Sequence, residues 1–146
     1  MHRDFFCNNL LYLPSRNQHL KCGIIDYQDA IFGDSALDIV SLLEDSRRII
    51  QNYQKTDLVN YYLNQTNQSK KIDEFLNKLD FIGAVRQTRI LGRWIKLYKL
   101  YNKKKYLNYI NITWFWLEKN LSNDFMHEIK NMYENLIPRK LRKYND

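Results

Sequence analysis

HRDFFCNNLL at residues 2–11 and GIIDYQDAIFGDSALDIVSLLED at residues 23–45 are the stretches that decide the fold of this 146-residue chain. The first contains a histidine, an aspartate and an asparagine in the order H-x-D-x(4)-N, and an apolar run follows directly. The second is an apolar segment ending in Asp26, followed by Gly33 and by a helical apolar pattern that contains Asp38. The five-residue gap from Asp4 to Asn9 suits a compact loop, in which the two side chains can approach each other without lying on one helix face.

The order of these polar residues fits a phosphoryl-transfer site. Such a site needs a carboxylate that accepts the proton of the attacking hydroxyl, together with oxygen ligands that hold Mg²⁺ against the nucleotide phosphates. Because Mg²⁺ prefers oxygen ligands and keeps several waters, one Asn and one Asp suffice beside the phosphates. Singly, each of Asp4, Asn9 and Asp26 is better explained as a turn or cap residue, but their joint order favours the chemistry.

The remaining pattern predicts a short hairpin followed by a helical body. Residues 10–13 and 21–26 are apolar runs typical of two short strands. Helices are expected over 34–48, with Asp34 or Ser35 as the N-cap, and then over 54–65, 70–101 with a break near Gly83, 105–120 and 123–136. The predicted fold class is α+β, mainly α, and residues 1–146 are expected to form one domain.

Composition excludes several classes of protein. The chain is 45% hydrophobic and 14% aromatic with a mean hydropathy of −0.60, so it predicts a soluble globular domain rather than a disordered one. The sequence contains no run of 18 or more apolar residues, so no membrane span is predicted. The amino terminus lacks the pattern of a signal peptide, so a cytoplasmic location is expected, with Cys7 and Cys22 as free thiols.

The net charge of +7 is unevenly distributed. Residues 1–46 contain three basic and seven acidic side chains, whereas residues 47–146 contain twenty basic and nine acidic ones. The acidic part suits a divalent cation and the basic part suits an anionic partner. A lysine-rich solvated surface explains the basic excess equally simply, and the composition favours that explanation.

Two faces are predicted for the helix at 86–101. An apolar face, expected in the core, comprises Ile90, Trp94, Leu97, Tyr98 and Tyr101. A basic face comprises Arg86, Arg89, Arg93 and Lys96. The basic face either binds an anionic ligand or is simply exposed to solvent, and the sequence favours the second.

The two opening stretches resemble the aminoglycoside phosphotransferase-like kinases. Within that family they are most similar to the bacterial anomeric kinases of N-acetylmuramate and N-acetylglucosamine. The IDYQDA box, the DIVSLL helix and the later RQTRILGRWIKLY and KKKYLNYI stretches extend the similarity over most of the chain. The resemblance implies the C-terminal, catalytic lobe of the protein-kinase-like fold.

The resemblance also implies roles for single residues. Asp4 would be the catalytic base, and Asn9 and Asp26 the magnesium ligands. Asp38 would support the catalytic loop through backbone amides, and His2 would pack beneath that loop. The expected reaction is ATP-dependent phosphorylation of an amino sugar derived from peptidoglycan, as in cell-wall recycling. Phe6, Gln28 and Asp29 depart from the protein-kinase pattern, which favours a small-molecule kinase.

The resemblance implies a two-lobed enzyme, of which this chain contains the C-terminal lobe. The glycines are too scattered to form a phosphate loop, and no strand lysine precedes the H-x-D box. The chain alone is therefore expected to be inactive and to bind ATP and Mg²⁺ weakly. A degraded gene, a split gene with a separately encoded N-terminal lobe and a late start codon all remain open.

Two alternatives to an amino-sugar kinase remain at this point. One is a kinase for another hydroxyl acceptor, such as an aminoglycoside or choline. The other is a non-catalytic module that binds nucleic acid through the basic face of the 86–101 helix. The sequence contains no recognised nucleic-acid motif, and its aromatic residues fall mostly on apolar faces, so nucleic acid is the less favoured partner.

Overall fold

An antiparallel hairpin precedes a bundle of five α-helices in the computed structural model, which describes residues 1–144 apart from the side chains of Asn52 and Lys70. Strand β1 (Leu10–Tyr12) pairs with β2 (Cys22–Ile24), with Leu10 opposite Ile24. The helices are α1 (Ala36–Leu43), α2 (Asn52–Gln65), α3 (Ile72–Tyr101), α4 (Ile110–Asn120) and α5 (His127–Leu136). This confirms the predicted α+β, mainly α fold class. The last two residues of the predicted domain lie outside the described part.

Helix α1 is shorter than the helix predicted over 34–48. It begins where the Ala36 N–H donates to Asp34 Oδ1 at 3.0 Å, and it ends at Leu43. The next three residues, Glu44, Asp45 and Ser46, are buried although they are polar. The chain leaves the helix there because these residues bond to α3 and α4. The Glu44 carbonyl accepts from Gln87 Nε2 at 3.1 Å, and the Ser46 and Thr113 hydroxyls lie 2.7 Å apart.

Helix α3 passes through two hydrophobic clusters. Its first half packs with α1 and α2 around Val40, Leu43 and Leu63. Its second half packs with α4 and α5 around Trp94 and Leu117. The predicted apolar face is correct at Ile90 and Trp94, which are buried, but wrong at Tyr101, which is 62% exposed at the helix end. None of the helices in the described part is both long and apolar enough to cross a membrane.

Gly83 does not break α3, which contradicts the predicted interruption. The helix runs through it without a gap, and the missing side chain makes room for a neighbour. A Cβ atom at Gly83 would lie 2.2 Å from Asn120 Nδ2 and 3.0 Å from Glu44 Oε2. Both of those side chains are buried. Glycine is therefore required by the close approach of α4 to α3, not by a kink.

The two glycines of α3 give a matched test of this role. Gly83→Ala should destabilise the fold by about 1–3 kcal/mol, because the added methyl overlaps the buried Asn120 side chain. Gly92→Ala meets nothing within 4 Å and should stabilise the chain by about 0.5–1 kcal/mol through helix propensity. Urea unfolding of both variants measures the difference. Equal effects of the two substitutions would refute the packing role of Gly83.

Candidate active site

The hairpin brings Asn9 and Asp26 together. Asn9 immediately precedes β1, and Asp26 follows β2 by two residues, so antiparallel pairing places them at the same end of the hairpin. The Ile25 N–H extends the pairing by donating to the Asn9 carbonyl at 3.0 Å. The Asn9 amide Nδ2 then lies 2.9 Å from the Asp4 carbonyl and 3.4 Å from Asp26 Oδ2. The side chains of the two candidate metal ligands therefore meet beside the backbone of Asp4, the candidate base.

Asp38 and His2 fix the loop that contains Asp4. The Asp38 carboxylate accepts backbone N–H bonds from His2 at 2.6 Å and from Arg3 at 2.8 Å. The buried His2 ring accepts from the Asp4 N–H at Nδ1 (3.3 Å), while Nε2 lies 3.0 Å from the Ile25 carbonyl. Since Nδ1 is the acceptor, Nε2 carries the proton and donates to that carbonyl. The loop is thus bonded to α1 on one side and to the end of β2 on the other.

Two residues of this region have left-handed backbone conformations. Arg3 has φ = 75° and Asp26 has φ = 63°, values that residues other than glycine seldom adopt. Each costs on the order of 1–3 kcal/mol and persists only where surrounding bonds determine it. For Arg3 the fixing bond is the one to Asp38, and for Asp26 it is the 2.8 Å bond from Gln28 Nε2 to Oδ1. Two of the five left-handed residues in the described part of the chain therefore lie close to Asp4 and Asn9.

The oxygen donors present suit Mg²⁺. Asn9 uses its amide nitrogen in both bonds above, and its amide oxygen has no hydrogen bond to the described residues. That oxygen and the Asp26 carboxylate are hard ligands of the type that Mg²⁺ takes. Within residues 1–144 no group of three or more His, Cys, Asp or Glu side chains is placed to hold a metal. The site therefore fits an ion that completes its coordination with phosphate oxygens and water.

A cavity of about 170 Å³ lies beside Asp4 and contains much of the predicted basic face. Its lining includes Arg3, Asp4, Arg47, Arg89, Arg93 and Trp94. It is smaller than pockets for drug-sized ligands, which measure about 300–1,000 Å³. A larger cavity of about 470 Å³ lies between α1, α2 and α3, and none of the predicted site residues lines it.

The structure corrects the expectation that the basic face is uniformly solvent-exposed. Arg86 is only 7% exposed, and its Nε donates to Ser41 Oγ at 3.0 Å while Nη1 lies 3.4 Å from the Glu44 carbonyl. Burial lowers the pKa of Arg86 to about 10, although nearby Asp45 and Glu44 oppose the shift. Arg86 turns inward because the polar end of α1 offers it acceptors.

The other three members of the basic face are exposed, but they differ in their position relative to the cavity. Arg89 and Arg93 line the cavity beside Asp4, whereas Lys96 does not. Sequence reasoning missed Arg3, Asp45 and Arg47 as lining residues. Arg47 bonds to Asp45 at 2.7 Å and stacks 3.7 Å above the Phe6 ring. The only available signal was the polar D-S-R-R run directly after the α1 pattern.

A hairpin flanked by an H-x-D loop and an aspartate, supported by a helical body, defines the C-terminal lobe of the protein-kinase-like fold. Comparison with known proteins agrees. The model of the phosphotransferase enzyme family matches residues 1–72. This match confirms the resemblance of the two opening stretches to that family.

Two relatives extend the similarity beyond residue 72. The N-acetylmuramate/N-acetylglucosamine kinase of Caulobacter vibrioides is 28% identical over 142 residues, which is 97% of this chain and 39% of that protein. The protein with the same name from Neisseria meningitidis is 31% identical over 111 residues, which is 73% of this chain and 32% of that protein. The chain thus spans about two fifths or less of each of these relatives.

The bonds made by Asp38 give a direct test of the loop. Asp38→Ala removes the acceptor of two backbone N–H groups and should destabilise the chain by about 1–3 kcal/mol. Hydrogen exchange at the amides of His2 and Arg3 should accelerate more than exchange in α4. Asp57→Ala is the control, because Asp57 is exposed in α2 and its side chain makes no hydrogen bond to the described residues. Unchanged exchange at His2 and Arg3 in Asp38→Ala would contradict the bonding described.

Proposed function

We propose that this lobe belongs to an ATP-dependent kinase of N-acetylated amino sugars, N-acetylmuramate and N-acetylglucosamine, acting at the anomeric hydroxyl. The observation that carries the proposal is the position of Asn9, whose amide Nδ2 lies 2.9 Å from the Asp4 backbone carbonyl and 3.4 Å from Asp26 Oδ2. The names of the two relatives supply the acceptor class.

Each residue of the loop has a distinct part in this proposal. The Asp4 carboxylate accepts the proton of the sugar hydroxyl as that oxygen bonds to the γ-phosphorus of ATP and ADP leaves. Asn9 and Asp26 would hold Mg²⁺, which neutralises charge on the donor phosphates when bound. His2 and Asp38 position Asp4 through the loop backbone. Proximity and orientation are the main contribution expected from such a site.

We propose further that activity requires a second, nucleotide-binding lobe. The four glycines of the 146 residues are widely separated, so no phosphate-cradling loop is present in them. Apolar side chains around the hairpin are unusually exposed, including Tyr12 at 75% and Phe32 at 105%. A covering lobe would bury them. Because the donor is ATP, we place the reaction in the cytoplasm.

The first test uses the chain by itself. The purified 146 residues should show negligible phosphorylation of N-acetylmuramate or N-acetylglucosamine, because on this proposal the second lobe makes most contacts to the donor phosphates. A radiolabelled-ATP assay with Mg²⁺ measures this. Sustained turnover that Asp4→Asn abolishes would show that the second lobe is dispensable.

The second test supplies the proposed nucleotide-binding lobe. The region of the Caulobacter relative that this chain does not span is added as a separate polypeptide or by fusion. The pair should regain Mg²⁺-dependent amino-sugar kinase activity. Asp26→Ala should abolish turnover, and Asp4→Asn should lower kcat by about 10²–10⁴-fold with little change in KM. Asp57→Asn, remote from the loop, should leave kcat unchanged.

The outcome that would overturn the proposed function is equally specific. A folded pair that binds ATP and yet phosphorylates no amino sugar would reject the acceptor class. Activity that survives Asp26→Ala would reject the metal-ligand assignment, whereas an unchanged kcat in Asp4→Asn would reject the base.

A further inference from the structure

The cavity beside Asp4 has an excess of positive charge. Five of its lining residues are arginines and two are aspartates, Asp4 and Asp45. Asp45 is already paired with Arg47 at 2.7 Å. A cavity that contains the proposed base therefore also presents several guanidinium groups that the protein's own carboxylates do not neutralise. Such a surface attracts an anionic ligand.

The arginines fall into two groups according to their partners. Arg86 bonds to the end of α1, Arg47 bonds to Asp45, and Arg3 Nη1 lies 3.4 Å from the Asp29 carbonyl. Arg89 and Arg93 make no hydrogen bond or ion pair with the described residues, and both are exposed. They lie four residues apart on α3, so their side chains project from the same face. These two guanidiniums are therefore available to a ligand.

The cavity also offers an apolar wall. The Trp94 ring is stacked on the Tyr106 ring with centroids 5.0 Å apart, and both residues line the cavity. Trp94 Nε1 is occupied by Thr113 Oγ1 at 3.1 Å, so the polar edge of the indole is satisfied inside the protein. Aromatic side chains beside a few polar groups are typical of small-ligand sites, and the C–H face of a sugar ring packs well on them.

We propose that this cavity is the acceptor subsite and that Arg89 and Arg93 bind a carboxylate of the acceptor sugar. The proposal rests on the proposed function, since Asp4 is the base that defines which cavity receives the acceptor. Guanidinium and carboxylate match in a bidentate geometry, which gives strength and orientation together. The two named acceptors differ in this respect, because N-acetylmuramate has a carboxylate and N-acetylglucosamine does not. Arg89 and Arg93 are thus the residues that make the lobe prefer the acidic sugar.

The experiment measures binding to the 146-residue chain by calorimetric or NMR titration. The probes are N-acetylmuramate, its methyl ester, N-acetylglucosamine and inorganic phosphate. The chain should bind N-acetylmuramate about tenfold more tightly than its methyl ester or N-acetylglucosamine. Arg89→Gln and Arg93→Gln should each reduce that preference, and the double variant should remove it while leaving the affinity for N-acetylglucosamine within about twofold.

The matched control is Lys99→Gln, which removes one positive charge from an exposed position of the same helix but lies outside the cavity. Lys99→Gln should keep the wild-type preference for N-acetylmuramate. If net charge alone caused the preference, Lys99→Gln would reduce it as much as each arginine variant does. Circular dichroism should show the same helix content in all variants.

Three results would overturn the inference. They are equal binding of the acid and its ester, loss of preference in Lys99→Gln to the same extent, and no binding of either sugar. Tighter binding of inorganic phosphate than of N-acetylmuramate, lost in the same variants, would reassign the arginines to a phosphate group. The kinase assay of the two-part enzyme separates this from the proposed function. If the enzyme phosphorylates both sugars without preferring N-acetylmuramate, only the role of the arginines is refuted. If the arginines determine a binding preference but no sugar is phosphorylated, only the proposed kinase reaction is refuted.

Discussion

The buried carboxylate of Glu44 is the interaction on which the helical body depends. Glu44 is 4% exposed, and its two oxygens lie 3.2 Å from Lys55 Nζ and 2.8 Å from Asn120 Nδ2. Gln87 Nε2 adds a bond at 3.3 Å to the same carboxylate. One side chain at the end of α1 thus joins α2, α3 and α4. Burying a charge is costly unless it is paired and hydrogen-bonded, and these contacts meet that condition.

The partners of Glu44 show the cost of this arrangement. Burial lowers the pKa of Lys55, and the nearby Glu44 charge opposes that shift. The Lys55 ammonium also lies 4.2 Å above the Trp116 ring, which offers a further favourable contact. Nearby, burial raises the pKa of Asp80 although Asn123 Nδ2 donates to it at 2.8 Å. Burying these charged groups costs free energy, and their mutual contacts fix the positions of four helices relative to one another.

The fixed end of α1 in turn determines the geometry of the candidate site. Asp38 stands in the first turn of the same helix and bonds to the loop that contains Asp4. At the other end of α1, the chain continues into Asp45 and Arg47, which line the cavity beside that loop. Arg86 ties α3 to Ser41 between them. The positions of both the loop and the cavity therefore depend on the eight-residue helix α1, and a shift of α1 would displace them together.

Local signals made the hairpin, the helices and the convergence of Asp4, Asn9 and Asp26 predictable. The short apolar runs, the helical spacing and the H-x-D-x(4)-N order act over a few residues, and antiparallel pairing follows from the two apolar runs. The end of α1, the continuity at Gly83 and the burial of Arg86 depend on contacts between helices distant in sequence. From sequence spacing alone, a glycine in a helix is expected to interrupt it and an arginine is expected to be exposed. Sequence spacing does not show which distant helix packs against either residue.

The burial of Arg86 also changes how the basic face of α3 is interpreted. The nucleic-acid alternative depended on four cations in one row, because binding to a polyanion grows with the number of phosphates neutralised. One of the four is buried, and two of the other three line a concave cavity beside Asp4. A concave cavity with aromatic and guanidinium groups suits a small anion better than a nucleic-acid backbone. The basic face is therefore not uniform. Arg86 lies in the protein core and bonds α3 to α1, whereas Arg89 and Arg93 line the cavity and are available to a ligand.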